Sequence, residues 1–195
     1  MDRQRLPVIV EVLGIEAAAA ALRGGGAVAF PTPCGYGLAV DPWSSEGLGR
    51  LFALKPGRRD PVGLIAASAE QVREHTAAWP ALAEDLASRW PAELTLVLPA
   101  AADLPNAVVS PLGVAMRVPE MASARALCEA VGRPLTATSL NRSGEPILRR
   151  PEDLEPHAAL LSGRLAGEAG EAMPSTLVAF IDGEQKVLRQ GEEEV

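Results

Sequence analysis

The sequence predicts an α/β protein built on a single twisted, mixed sheet with helices on its faces. Stretches with helical spacing of apolar residues alternate with short apolar runs of strand length along the chain. Close spacing of strands over Ala27–Val40, and a turn at Asp182-Gly183, favour antiparallel pairing at some positions. With 195 residues, 48% of them hydrophobic, the chain suffices for one sizeable core, so we expect residues 1–195 to form a single domain.

Glycine, serine and proline separate the elements of the first half. The run Gly24–Gly26 ends the first helix, and no Gly-Lys-Ser/Thr follows it, which favours a helix C-cap over a phosphate loop. Ser44 or Ser45 caps a helix that reaches Leu54. The strands that we expect here are Val8–Val12, Ala27–Phe30, Tyr36–Val40 and Gly63–Ala67, and the other helices are Ile15–Arg23, Ala69–Thr76 and Pro80–Arg89.

The second half continues the alternation. We expect a helix over Ala122–Val131, a short helix beginning over Pro151–Glu155, and a loop over Gly163–Ala172. The Asp182-Gly183 turn joins the last two strands into a hairpin. The expected strands are Leu94–Leu98, Val114–Arg117, Leu135–Ser139, Ser175–Phe180 and Val187–Arg189.

Charge and composition disfavour several classes of protein. The formal net charge of -7 argues against a broad electrostatic grip on nucleic acid, so we expect weak or no direct binding of RNA or DNA. All but two of the 18 basic residues are arginines, which bind phosphate and carboxylate bidentately, so local cationic pockets remain open. No apolar run has membrane-span length and no signal peptide is evident, which predicts a cytoplasmic protein without membrane contact.

The two cysteines are expected to differ. Cys128 lies in a helical pattern and is interpreted as a small buried hydrophobe. Cys34 lies in a proline-rich loop, but a nucleophilic thiolate needs a base, and the histidines His75 and His157 show no link to it. Two cysteines at this spacing predict neither a metal centre nor a disulfide framework.

Polar and cationic side chains collect where the expected strands end. Ligands of open α/β sheets bind beyond strand ends, so this distribution predicts one pocket for a polyanion such as a nucleotide phosphate. The loop after Leu135–Ser139 is the most informative, because hydroxyls, an amide and a glycine can wrap an anion. The residues concerned are Thr32, Tyr36, Lys55, Arg58, Arg59, Arg117, Ser139, Asn141, Ser143, Ser175, Thr176 and Arg189.

These residues also have structural interpretations. Lys55 stands where it would cap the helix ending at Leu54, Arg117 could pair with a surface carboxylate, and the polar loops could be plain turns. The sequence shows no Ser-His-Asp set, no Gly-x-Ser-x-Gly elbow and no paired carboxylates. A pocket rich in cations and poor in bases suits phosphate chemistry by charge neutralisation better than hydrolysis through a covalent intermediate.

Two motifs resemble those of the YrdC-like family of threonylcarbamoyl-AMP synthases. Pro31–Leu38 resembles the family's Pro-Thr-acidic-Thr-x-Tyr-Gly-Leu signature, and Thr138–Gly144 resembles its Ser-x-Asn motif. The similarity extends from about Ala17 to Gly191. Further similar segments are Trp90-Pro91, Val114–Arg117, Pro174-Ser175-Thr176 and Leu188–Gly191.

The resemblance implies a twisted α/β domain around a large cationic cavity. It also implies a reaction in which L-threonine, bicarbonate or CO2, and ATP give threonylcarbamoyl-AMP and pyrophosphate. A separate transferase complex would then pass the threonylcarbamoyl group to tRNA. ATP is a substrate in this scheme, with Mg2+ expected to accompany it, and no tightly bound cofactor or dedicated metal site is implied.

The resemblance also assigns roles to ten residues. Lys55 and Arg58 would act as catalytic cations at the phosphates. Asn141, Arg189 and, on a looser match, Arg149 would join them in binding ATP. The residues that would bind threonine are Thr32, Cys34, Arg117, Ser139 and Ser175.

Four positions depart from the family pattern. Pro33 and Cys34 replace an acidic residue and a threonine that helps to hold the amino acid. Gly57 stands where the family has an arginine, with Arg58 one step further on, and Gly113 replaces a threonine before a strand. These changes bear on the identity of the substrate more than on the fold.

Several functions therefore stay open. The first is the synthase reaction, and the second is a divergent paralogue that binds a nucleotide but has another acyl substrate or has lost the reaction. An RNA-binding module is disfavoured by the negative charge and by an aromatic content of only 4%. A carbamoyl-transfer domain of a larger maturation protein is the remaining alternative.

Overall fold

The computed structural model describes residues 9–58, 60–142 and 144–195. Two of the expected pocket residues, Arg59 and Ser143, lie outside these ranges, as does Val8 in the first expected strand. The α/β class is confirmed, since helices and strands alternate and both parallel and antiparallel pairing occur.

The helices in the described residues fall close to their expected positions. Ser44 caps the second helix, because its Oγ accepts a hydrogen bond from the Gly47 backbone N–H at 3.1 Å. No helix in the described ranges combines the length and the apolar character that a bilayer crossing needs. The helices are α1 Ile15–Arg23, α2 Ser45–Leu54, α3 Ala69–Glu74, α4 Ala81–Ala87, α5 Ala122–Val131 and a 3₁₀-helix at Pro151–His157.

The strands of the described residues form two sheets. In spatial order, the first sheet contains β1 (Val12–Leu13), β10 (Gly163–Leu165), β2 (Val28–Thr32), β3 (Gly35–Ala39) and β9 (Thr138–Ser139). The second contains β12 (Glu184–Arg189), β11 (Thr176–Ile181), β5 (Leu94–Leu98), β7 (Gly113–Arg117), β4 (Leu64–Ile65) and β8 (Leu135–Thr136), and β6 (Val109–Ser110) also pairs with β7.

The expected single sheet is thus divided in two, and residues 135–139 join the halves. The strand expected over Leu135–Ser139 changes partner at Ala137: β8 before it pairs with β4, and β9 after it pairs with β3. Thr136 ties the two sheets further, since its Oγ1 accepts a hydrogen bond from the Val40 backbone N–H at 2.9 Å. One short continuous segment of the chain therefore contributes a strand to each sheet.

The expectation of a loop over Gly163–Ala172 is wrong for its first residues. Gly163–Leu165 forms β10, which lies parallel between β1 and β2. Three residues with an arginine in the middle are too short to show an alternating pattern, and two neighbouring strands fix their conformation. The remaining residues up to Ala172 contain no strand or helix, as expected.

Antiparallel pairing is confirmed at both expected positions. β2 and β3 pair antiparallel, with Thr32 opposite Gly35. β11 and β12 also pair antiparallel, and their turn has positive φ at both Asp182 (55°) and Gly183 (80°), the backbone of a type I′ turn.

Two apolar clusters hold the layers together. The smaller one packs α1 and α5 against the first sheet and includes Leu22, Phe30 and Leu127. Cys128 lies in it fully buried, and burial raises the pKa of its thiol to about 12, so its expected role as a small hydrophobe is confirmed. The larger cluster packs α2, α3 and α4 against strands of both sheets.

Candidate active site

A cavity of about 490 Å³ is lined by strands of both sheets. Loop residues before β4 and around Pro174 complete its wall. The first sheet and the loops beside it contribute Phe30, Thr32, Cys34, Tyr36, Gly37, Thr138, Ser139 and Ile147. The segment before β4 contributes Arg58, Asp60, Pro61 and Gly63. The second sheet and the loop before β11 contribute Leu64, Thr95, Ala115, Arg117, Pro174, Ser175, Leu177 and Arg189, and Ala137 lies between the two sheets.

Sheet register places the polar residues of the second sheet on one face. Leu177 of β11 pairs with Thr95 on one side and with Arg189 on the other. Paired residues point to the same face, and every second residue along a strand returns to it. Arg117 lines the same cavity from β7, the other neighbour of β5.

Ser175 is the centre of a hydrogen-bond network on this wall. Its carbonyl oxygen accepts from Arg189 Nε at 3.0 Å and Nη2 at 2.8 Å, and its hydroxyl lies 2.8 Å from Thr95 Oγ1. Arg189 is an exposed residue whose guanidinium is partly withdrawn from water. This desolvation and then the charge of Arg117 lower its pKa. Two guanidinium groups therefore share one end of the cavity.

Lys55 ends α2 and is buried, with only 5% of its surface exposed. Its Nζ donates to Asn141 Oδ1 at 3.2 Å and to Ser139 Oγ at 3.4 Å. Burial, followed by the charge of Arg58, lowers the pKa of Lys55 to about 8. Its side chain is thus hydrogen-bonded to the end of β9 and to the loop that follows. These contacts place Lys55 beside the cavity, so Lys55 does more than cap helix α2.

Arg58 reaches the cavity from the turn after α2. Its Nη1 donates to Thr138 Oγ1 at 3.1 Å and its Nη2 to the Pro61 carbonyl at 3.0 Å. Burial lowers the pKa of this guanidinium. Although the family pattern places its arginine one residue earlier, the Arg58 side chain lines the cavity.

The turn between β2 and β3 forms part of the cavity's rim. Thr32 Oγ1 donates to the Gly35 carbonyl at 2.7 Å and lies 3.5 Å from Cys34 Sγ. Gly170 and Ala172 brace the turn from outside through backbone hydrogen bonds to the carbonyls of residues 32 and 33, both at 2.9 Å. Neither histidine of the chain lines the cavity, so Cys34 has no imidazole base there.

The structure brings most of the ten expected residues together. Seven line the cavity, and Lys55 and Asn141 adjoin it through the bonds to Ser139. Arg149 is exposed and does not line the cavity. The seven lining residues are Thr32, Cys34, Arg58, Arg117, Ser139, Ser175 and Arg189.

Sequence reasoning missed Thr95 and Glu93. Thr95 lines the cavity from within the run Leu94–Leu98, where a threonine is an ordinary strand residue. Glu93 directly precedes that run and is buried, with 4% of its surface exposed. A buried carboxylate next to an apolar strand is the signal that would have indicated it.

The departures from the family pattern have different positions. Cys34 lines the cavity, whereas Gly57 and Gly113 do not. Gly113 has φ of +121°, and a Cβ there would lie 2.0 Å from the Leu98 carbonyl oxygen, so its glycine has a local backbone cause. Gly57, with φ of +80°, sits in an open turn.

The described residues contain no group of three or more histidine, cysteine or acidic side chains arranged to hold a metal ion. The charged groups that line the cavity are three arginines and Asp60. The arrangement suits the binding of two kinds of anion, one at Arg117 and Arg189 and one near Arg58 and Lys55.

Comparison with known proteins agrees with this geometry. A family described as Telomere recombination, whose model carries the names Sua5, YciO and YrdC, matches residues 20–191. The threonylcarbamoyl-AMP synthase of Halorhodospira halophila is 40% identical over 159 residues, covering 77% of this chain and 83% of that protein. The threonylcarbamoyl-AMP synthase of Vibrio cholerae is 35% identical over 191 residues, covering 92% and 98%.

Solved structures share the fold. The crystal structure of P. abyssi Sua5 complexed with L-threonine has a TM-score of 0.83 and 32% identity, and covers 94% of this chain. This chain spans 57% of that Sua5 chain, a little over half its length. E. coli YciO, at 21% identity, has a TM-score of 0.80 over 95% of this chain and 94% of its own, a likeness of fold alone. Matching over most of its length in sequence and in fold, the chain belongs to the Sua5/YciO/YrdC family.

Proposed function

We propose that this protein is a threonylcarbamoyl-AMP synthase, which forms threonylcarbamoyl-AMP and pyrophosphate from L-threonine, bicarbonate or CO2, and ATP. The relatives with that name support the proposal, as does the Sua5 structure with L-threonine. The observation that carries it is the cavity itself, where Arg117 and Arg189 meet at one end and Arg58, with Lys55 behind it, at the other. Two anion sites match a carboxylate and a triphosphate.

One end of the cavity is proposed to bind the amino acid. Arg117 supplies a guanidinium for the α-carboxylate, which accepts bidentate hydrogen bonds well. Hydroxyl and thiol groups around it would contact the amine and the side chain. The proposed threonine-binding residues are Thr32, Cys34, Arg117, Ser139 and Ser175.

The other end is proposed to bind ATP. Lys55, Arg58 and Asn141 are the proposed contacts at this end. Arg189 would reach ATP from the Arg117 end, and Arg149, which is exposed, would reach it from outside the cavity. Mg2+ would enter as part of the MgATP substrate, because the described residues offer no group of ligands of their own for it.

The chemistry follows from charge and position. The threonine amine loses a proton as its nitrogen bonds to CO2, and an oxygen of the resulting carbamate attacks the α-phosphorus of ATP. The bond from that phosphorus to the bridging oxygen breaks, and pyrophosphate carries the electron pair away. Lys55 and Arg58 would act as catalytic cations that stabilise the charge of the leaving pyrophosphate. The enzyme's main contribution is to hold the two anions in line.

The product is proposed to pass to a tRNA threonylcarbamoyl transferase complex. The proposed location is the cytoplasm, where ATP and tRNA are both at hand. With a formal net charge of -7, direct binding to the tRNA is expected to be weak or absent.

The deciding experiment measures pyrophosphate release from ATP and bicarbonate, with and without L-threonine, beside a panel of other amino acids. Threonine-dependent release supports the proposal, and Lys55→Ala should abolish it. Lys186→Ala is the matched control, because Lys186 is the other lysine of the chain and lies exposed on β12. Normal turnover in Lys55→Ala would reject the assigned site.

Cys34 favours a second candidate function, that of a paralogue with another acyl substrate. It stands in the cavity wall where the family has a threonine. Release with a different amine and not with threonine would support this candidate. ATP binding without release for any amine would indicate a nucleotide-binding protein that has lost the reaction.

A further inference from the structure

Glu93 lies in the wall behind the cavity and pairs with Arg117. Its Oε2 is 3.4 Å from Arg117 Nη1, and only 6% of the Glu93 side chain is exposed. Glu93 Oε1 is buried and has no hydrogen-bond partner in the described part of the chain, and the same holds for Arg117 Nε. A buried carboxylate that has lost its water needs a counter-charge, and Arg117 supplies it for Glu93. The same ion pair holds the Arg117 guanidinium in place.

Sheet register explains why these two residues meet. β5 and β7 are antiparallel partners, with Leu96 opposite Met116, so the residues before β5 lie beside the end of β7, where Arg117 stands. Glu93 and Thr95 are two residues apart and share one face of the strand. Arg117 lines the cavity, whereas Glu93 does not. The carboxylate therefore contacts the guanidinium from outside the cavity.

The charges around Arg117 make such a contact necessary. Arg189 is close enough for its pKa to be lowered by the charge of Arg117. Arg189 is held by three hydrogen bonds to Ser175, whereas the polar contact that the described structure gives the Arg117 guanidinium is the ion pair with Glu93. Without that carboxylate, repulsion from Arg189 would move the Arg117 guanidinium, since no other polar group among the described residues holds it.

We propose that Glu93 is a positioning residue, whose carboxylate fixes the Arg117 guanidinium so that its free N–H donors face the carboxylate of the amino-acid substrate. The inference rests on the proposed function for the identity of that substrate. The pair itself rests on the contacts above. Glu93 acts only through Arg117 and touches neither substrate nor ATP.

The test is a double-mutant cycle on amino-acid binding. Glu93→Ala should raise KM for L-threonine about tenfold and leave KM for ATP within about twofold, because only the Arg117 guanidinium loses its ion-pair partner. Glu93→Gln keeps one acceptor oxygen and should lose less than Glu93→Ala. In an Arg117→Ala background, Glu93→Ala should have no further effect on the binding of L-threonine, measured by calorimetry.

Controls separate positioning from general damage. Glu120→Gln removes an exposed carboxylate three residues after the end of β7. It should change neither the KM for L-threonine nor the KM for ATP. Urea unfolding of each variant supplies a measurement independent of ligand: Arg117→Ala should be destabilised by the carboxylate it leaves unpaired, and Arg117→Ala with Glu93→Gln should regain stability.

Several results would overturn the proposal. A lower KM for threonine in Glu93→Gln would mean that the carboxylate screens Arg117 from its ligand. Additive effects of the two alanine variants, or no stability regained in the double variant, would mean that Glu93 acts independently of Arg117. Wild type that binds L-threonine without releasing pyrophosphate would reject the synthase alone, whereas wild type that binds no amino acid would reject both proposals.

Discussion

Lys55 is withdrawn from water and still expected to be charged at neutral pH, because burial brings its pKa only down to about 8. The cation should therefore disappear within the range where enzymes are assayed. We predict that kcat/KM for ATP, at saturating threonine, is constant below pH 7 and falls up to tenfold per pH unit well above pH 8. The kcat profile should break at a higher pH, since bound phosphates favour the charged lysine.

The control for this pH profile is Lys55→Arg, which stays charged and should lose the break whatever its residual rate. A wild-type kcat/KM that stays flat to pH 10 would contradict the assignment.

The burial of Lys55 also has a consequence for the stability of the protein. Between about pH 8 and 10.5 the unfolded lysine binds a proton that the folded one has released, so the free energy of unfolding rises with pH in that range. Below about pH 8 the charged lysine is buried in the folded protein, and the destabilisation is present in full.

Cys34 offers a second prediction for a single residue. Its sulfur lies 3.5 Å from Thr32 Oγ1, and a thiol is a weak hydrogen-bond partner. Cys34→Thr should lower KM for L-threonine about fivefold, since a neutral hydrogen bond contributes about 1 kcal/mol. Cys34→Ser separates the hydroxyl from the added methyl. An unchanged or raised KM in the threonine variant would indicate that Cys34 serves a different ligand.

Several of the polar residues predicted from sequence stand where an apolar run stops. Thr32, Ser139 and Arg117 were found that way, and the structure places all three at the cavity. Thr95 was not found, because a threonine inside a buried strand looks like any other β-branched residue. Glu93 was missed because its role depends on a partner 24 positions away on a neighbouring strand.

The β2–β3 hairpin matters as an element because its turn supports one rim of the cavity. Gly35 has φ of +138°, and a Cβ there would lie 2.1 Å from Ile147 Cγ2 and 3.0 Å from the Leu148 carbonyl oxygen. Tyr36 donates its backbone N–H to the same carbonyl at 2.7 Å. The hairpin and residues 147–148 therefore fit together only with glycine at position 35.

Gly35→Ala should accordingly destabilise the protein by about 1–3 kcal/mol in urea unfolding, and threonine-dependent turnover should fall. Gly49→Ala is the matched control, because a Cβ at Gly49 in helix α2 meets nothing within 4 Å. That variant should be neutral or stabilising by up to about 1 kcal/mol. Equal behaviour of the two variants would refute the close fit at Gly35.

Several element boundaries followed the sequence where an element carries its own signals, although β1 is found at Val12–Leu13 and not over the expected Val8–Val12. α1, α5 and β5 have the bounds expected from glycine stops and apolar periodicity. β10 and β6 are three and two residues long, too short for any periodicity, and their strand conformation is imposed by neighbours. Sequence therefore predicts elements that have an apolar pattern of their own. It misses short strands whose conformation depends on pairing with neighbouring strands.

At the scale of the whole molecule, residues 135–139 are the joint between the two sheets. The Thr136 hydroxyl accepts from the Val40 N–H and donates to the Leu38 carbonyl oxygen at 3.4 Å, and the residue is fully buried. Thr136→Val would leave that N–H without a partner. We predict a loss of about 1–3 kcal/mol in the free energy of unfolding and faster hydrogen exchange at the Val40 amide.

Thr176→Val is the matched control, since Thr176 is equally buried and its hydroxyl also makes two hydrogen bonds, to Glu193 and Gly191. It belongs to one sheet, so faster exchange should stay near the C-terminal residues. If Thr136→Val left exchange at Val40 unchanged, the hydroxyl would not hold the sheets together.

The class of fold was predictable from alternation alone, and the division into two sheets was not. Residues 135–139 form one short run of small and apolar residues, and nothing in their sequence marks the change of partner at Ala137. That change depends on how β3 and β4 approach it in space. The sequence therefore predicted a pocket at strand ends. It could not predict that the pocket is a cavity lined by strands of two sheets.

The β11–β12 hairpin has a consequence for how the protein is made. Ser175 directly precedes it and Arg189 lies on its second strand, so these two polar groups are synthesised after almost all the other residues that line the cavity. A nascent chain that ends before residue 175 also lacks the strand that flanks β5. Such a chain lacks part of the proposed amino-acid pocket, so substrate cannot stabilise it as it would stabilise the folded protein. Stabilisation by ligand begins only after the whole hairpin has left the ribosome.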